Sequence, residues 1–148
     1  MKLRFTIDIE ATPEKVFYWL GDPERAMTWM TSVGKTETIH KTDNWVGTTF
    51  REVVQDKSGS TEMRGVVTEY TINQTMGFHL EGQYNDVDVR FRLESRDGKT
   101  RVIQEADVRF KSITRLLMLI LGPLFKAKIK KQSMQEFRTL KELCEKAE

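Results

Sequence analysis

The sequence predicts an α+β protein in which a seven-stranded antiparallel sheet holds one long C-terminal helix. Three observations lead there. Residues 116–121 form an apolar run, Gly122-Pro123 follows, and a helical pattern extends from 124 to about 147. In that pattern Ile129, Ser133, Phe137, Leu140, Cys144 and Ala147 recur at spacings of 3 and 4, which draws one stripe along a helix face. A helix of that length spans about 36 Å, and the only large body upstream reads as strands, so the helix must lie across a sheet.

The first strand is marked by Leu3, Phe5, Ile7 and Ile9 alternating with Lys2, Arg4, Thr6, Asp8 and Glu10, the two-residue period of a half-buried strand. Thr12-Pro13-Glu14 then supplies an N-cap, a proline at the first helical position and an acid in the first turn. Asp22-Pro23-Glu24 repeats the signal after Gly21. Two short helices therefore follow the first strand, with Val16, Phe17, Leu20, Met27 and Met30 facing inward. From about 33 to 110, turn chemistry at 43–44, 56–60, 73–75, 84–86 and 96–99 separates six strands joined by short loops, an antiparallel meander. Asp97-Gly98 is a strong hairpin signal, because both central residues of such a turn need positive φ. Val87, Val89, Phe91 and Leu93 alternate with Asp88, Arg90, Arg92 and Glu94, so the sheet has one wet face and one that needs cover. The C-terminal helix supplies it. Gly122-Pro123 reads as a helix boundary or a kink, since proline lacks the amide hydrogen and disfavours helical geometry in the residue before it.

Composition excludes several functions. The 148 residues fit one domain, and 24 basic against 22 acidic residues give a net charge of +2, too little to favour nucleic acid. Cys144 is the single cysteine, so no internal disulfide forms. His40 and His79 lie far apart, which argues against a zinc site, and no motif implies a cofactor. The alternating start does not read as a signal peptide, and residues 116–125 are too few to cross a bilayer, which needs about 20. The expectation is a soluble, cytoplasmic protein. There is no nucleophile-elbow pattern and no phosphate-cradling glycine loop. No motif specifies an oligomeric state.

Four passages, IDIEATPEKVFYWLGDPERAMTWM (7–30), WVGTTFREV (45–53), VVTEY (66–70) and LLMLILGPLFKAKIKKQSMQEFRTLKELCE (116–145), taken in this order and spacing, resemble the START-like or SRPBCC superfamily of helix-grip proteins. That superfamily includes the polyketide cyclase/dehydrase and lipid-transport families. The resemblance covers almost the whole chain and implies that residues 1–148 form a single START-like ligand-binding domain. It implies a curved sheet wrapped around the long helix and an apolar cavity between them, opening near the loops and short helices. It does not imply a reaction, because members bind lipids, sterols, quinones or hormones, or cyclise polyketides.

If Phe50 and Val54 face the helix, alternation puts Thr48 and Glu52 on the same inward face, and likewise Gln104 between Val102 and Ala106. A carboxylate on an apolar face must be paired, hydrogen-bonded or protonated. Glu52 is thus a candidate polar anchor or acid/base at a cavity wall, with Gln104 as a candidate second polar group. The alternative is a rim position, in solvent or paired with arginine. The remaining candidate lining is Trp29, Met30, Phe50, Met63, Phe78, Leu80, Val89, Phe91, Leu117 and Leu121, residue types that fill an ordinary core equally well. The reading that follows is a small hydrophobic or amphipathic ligand, such as a lipid, quinone or polyketide-like molecule. A cyclase or dehydratase using Glu52, and a carrier or interaction module docking through residues 116–131, are the rivals. In the last of these the apolar run and Lys126, Lys128, Lys130 and Lys131 would make peripheral contact with an anionic membrane, although a solvated helix face accounts for the lysines too. A movable lid over the cavity is the other functional reading of the run 116–121. His79 falls on the outer face, opposite Phe78 and Leu80.

Overall fold

The structure, a computed structural model, describes residues 1–31, 33–56 and 59–146, with Asp56 through its backbone alone. The order is β1 (Lys2–Ile9), α1 (Pro13–Leu20), α2 (Pro23–Ala26), β2 (Val33–His40), β3 (Thr49–Asp56), β4 (Gly59–Thr71), β5 (Thr75–Glu81), β6 (Asn85–Arg96), β7 (Lys99–Phe110) and α3 (Ser112–Glu145). The seven strands form one curved sheet in the order β1-β7-β6-β5-β4-β3-β2, antiparallel at every junction. Strands β2 to β7 form the predicted meander, and β1 closes the far edge against β7.

Local chemistry starts and stops these elements as the sequence suggests. The Thr12 hydroxyl accepts the Lys15 amide at 3.3 Å, and the Asp22 carboxylate accepts the Glu24 amide at 2.8 Å, each capping a helix that begins with proline. At the β6–β7 hairpin Asp97 has φ 51° and Gly98 φ 80°, the two positive values that this turn demands. Of the turn expected at 56–60, residues 57 and 58 lie outside the described residues, as does Ala147 at the end of the helix stripe.

α3 corrects one expectation. It runs without a break through Gly122-Pro123 for 34 residues, about 51 Å, instead of beginning after them. Proline deletes one amide bond, that to the Leu119 carbonyl, while leucine, lysine and alanine on either side favour helix. Gly122 is buried beside Met1, where a Cβ would lie 4.0 Å from the Met1 Cε. The C-terminal half buries Phe137, Leu140 and Cys144 on the sheet, with Ile129 and Ser133 half-buried along the same stripe. Phe137 meets Phe5 edge-on with ring centroids 6.5 Å apart. No described helix is long and apolar enough to cross a membrane.

Candidate functional site

The register of the sheet puts Glu52 on the inner face of β3, with Thr36 of β2 and Met63 of β4 as its cross-strand partners. A small pocket opens beside it. Its floor is Phe50 and Glu52 of β3, Thr36 of β2, Met76 and Phe78 of β5 and Phe91 of β6, and its roof is Leu20, Pro23, Ala26, Met27, Trp29 and Met30 from the two short helices and the turn after them. Val33 completes the rim. α1 and α2 are placed by their caps, and the Trp29 indole anchors the roof: its Nε1 donates to the Trp19 carbonyl oxygen at 2.9 Å. A chain of rings continues from Trp29 to Phe91 at 6.3 Å, from Phe91 to Phe78 at 6.2 Å and from Phe78 to Phe50 at 5.9 Å. Trp29 also lies 6.1 Å from Phe137, so the pocket's back wall is tied to α3.

Glu52 is half-buried among these groups, and no hydrogen bond or ion pair reaches its carboxyl among the described residues. Burial alone pushes its carboxyl up to about 7, because low-dielectric surroundings disfavour the charged form. It is the one acidic group lining an otherwise largely apolar pocket. The space open to a water-sized molecule is only ≈ 30 Å³, room for about one water. Ligand sites for molecules of drug size hold about 300–1,000 Å³, so this pocket is much smaller than such a site. Its roof is the adaptable part: Met27 and Met30 are half-buried thioethers, and the Met27 Sδ accepts the Thr36 amide at 3.0 Å.

Of the candidate lining residues, Trp29, Met30, Phe50, Glu52, Phe78 and Phe91 meet here. Met63, Leu80 and Val89 face inward but are core, not pocket wall. Gln104 does not join Glu52: it stands on β7 opposite Phe5 and Phe91, and β6, β5 and β4 separate β7 from β3. Thr48 is fully buried and accepts the Thr42 amide at 3.1 Å, away from the pocket. Leu117 and Leu121 lie on exposed positions of α3 and do not line the pocket, because the first third of that helix runs clear of the sheet's centre. Thr36 was not legible in advance. VGKTETIH has no apolar alternation, and only pairing with Glu52 brings its hydroxyl to the inner face.

Among the described residues, other polar groups form no rival centre. On the outer face His79 Nδ1 lies 2.7 Å from Asp88 and Nε2 3.3 Å from Glu81, contacts that raise its pKa, with Asp88 the larger influence. Cys144 is fully buried, which pushes its thiol up to about 11 and keeps it protonated. No group of three or more potential metal ligands occurs among the described residues.

The fold has clear counterparts. A Thermus thermophilus protein superimposes with a TM-score of 0.82 at 16% identity, covering 97% of each chain. A START superfamily protein from Mycobacterium smegmatis gives 0.79 at 16% identity, again over 97% of each chain. The Zhui aromatase/cyclase from Streptomyces gives 0.80 at 11% identity, over 98% of this chain and 93% of its own. At these identities the likeness establishes the START, or helix-grip, architecture. No curated protein matches the chain in sequence. The profile of one family, described as polyketide cyclase / dehydrase and lipid transport, matches residues 1–145, and the chain belongs to that family.

Proposed function

We propose that the protein binds a small apolar or amphipathic molecule between the inner face of β2, β3, β5 and β6 and the roof formed by the short helices. Glu52 is its polar anchor. The observation that carries this reading is a carboxyl with no hydrogen bond or ion pair among the described residues, pushed up to about 7 by burial, in a pocket of aromatic and methionine side chains. Apolar burial at about 25 cal/mol per Å² supplies the affinity, and one protonated carboxyl fixes orientation by donating a hydrogen bond to the ligand's polar end. Because the pocket is small, a ligand would gain room by outward movement of Met27 and Met30, which would break the bond from the Thr36 amide to the Met27 Sδ.

A second reading follows from the same carboxyl. A group that titrates near neutrality can give and take a proton, the requirement for a general acid/base in a cyclisation or dehydration, and one structural neighbour is an aromatase/cyclase. The two readings separate experimentally. Native mass spectrometry of freshly purified protein, followed by solvent extraction, is expected to release a stoichiometric lipid, quinone or polyketide-like molecule. An apo mass in every preparation, together with no gain of mass on incubation with such molecules, would sink the binding reading. If Glu52→Gln still retains the extracted molecule but no longer converts it, Glu52 is the acid/base and not merely the anchor.

A further inference from the structure

The first third of α3 leaves an apolar surface that the pocket does not use. Ile113, Leu116, Leu117, Ile120 and Leu124 fall at i, i+3, i+4, i+7 and i+11, one helix face. The opposite side, with Met118, Gly122 and Phe125, is the one turned toward the sheet: Phe125 packs edge-on against Phe110 at 5.5 Å and Gly122 lies beside Met1. The apolar face therefore points to solvent, with Ile113 at 79%, Leu116 at 66%, Ile120 at 79% and Leu124 at 72% exposure. Contiguous apolar surface of this kind marks an interaction site.

Charge identifies the occupant. Residues 112–135 contain Arg115, Lys126, Lys128, Lys130 and Lys131 and no acidic residue. None of these five cations forms an ion pair among the described residues. At about 100° per residue, Lys131 and Lys128 continue the apolar face beyond Leu124, Lys130 flanks it, and Lys126 falls toward the opposite side. An apolar helix face with a basic continuation suits the boundary between acyl chains and headgroups. A second copy docked through the same face would set like charges against one another, whereas anionic headgroups supply the opposite charge.

We infer that the protein docks on anionic lipid bilayers through the exposed face of residues 113–124, with Lys128 and Lys131 held at the headgroups and Lys130 beside them. The helix lies in the interface and does not cross the bilayer, as the lack of any described span requires. The inference does not depend on the pocket: Glu52→Gln is expected to dock unchanged.

The test is co-sedimentation of the full chain with vesicles of phosphatidylcholine alone or phosphatidylcholine mixed with phosphatidylserine. Binding is expected to the mixed vesicles and to fall as salt is raised, since exposed charges are screened over about 10 Å at 0.1 M salt. Ile120→Asp and Leu116→Asp are expected to abolish it while leaving the thermal midpoint unchanged, because both side chains are exposed. Lys128→Gln and Lys131→Gln should each weaken it about fivefold. Equal binding to both vesicle types, no binding to either, or binding that survives Ile120→Asp overturns the proposal. So does a concentration-dependent dimer that Ile120→Asp dissolves and mixed vesicles fail to compete with, which would assign the face to a second copy.

Discussion

The ring of Phe50 lies directly across Gly65, its cross-strand partner on β4: a Cβ at residue 65 would sit 2.3 Å from Phe50 Cζ. Glycine is required there for space and not for backbone conformation, since its φ is not in the left-handed region. Gly65→Ala must displace a fully buried ring that also forms the pocket floor, and overpacking of this kind costs about 1–3 kcal/mol. Urea unfolding is expected to show that loss. In a Phe50→Leu background the cost of Gly65→Ala should shrink, a coupling that two independent sites would not show.

Glu52 makes stability depend on pH in a definite direction. Its carboxyl ionises near 4.5 in the unfolded chain and near 7 in the folded one, so the folded state binds the proton more tightly. The stability contributed by that proton is fully present below about 4.5 and is lost as pH rises through about 7, a total of roughly 3 kcal/mol. Glu52→Gln cannot ionise. The two proteins should therefore share one stability profile on the acid side and diverge above it, with the variant the more stable at and beyond pH of about 7. Urea midpoints across that range give the difference directly, and parallel curves throughout would show that Glu52 titrates normally.

Trp29 holds the roof by the bond from Nε1 to the Trp19 carbonyl oxygen. Trp29→Phe keeps an aromatic ring beside Phe91 and Phe137 but leaves that carbonyl without its donor, at a cost of about 1–3 kcal/mol. The loosened roof is expected to admit an apolar dye that the wild-type pocket excludes. An unchanged unfolding midpoint with unchanged dye binding would show that the roof is held by packing alone.

Sequence alone determined the element order, the turn regions, the capped short helices and the inward stripe from Ile129 to Cys144, because period-2 and period-3.6 patterns and turn chemistry act between near neighbours. Alternation also put Glu52 on the inner face provided that Phe50 faces the helix, with a rim position as the alternative. Tertiary structure decided what met what. Gln104 and Glu52 face the same way on paper, yet three strands separate them once the sheet order is set. Leu117 and Leu121 read like cavity wall and stand instead on exposed positions of α3, because Gly122-Pro123 does not end the helix and its first third reaches past the pocket. Thr36 and Met27 joined the site only through register and through a sulfur contact across nine residues. Strand pairing order and helix reach depend on contacts distant in sequence, and no local period encodes them.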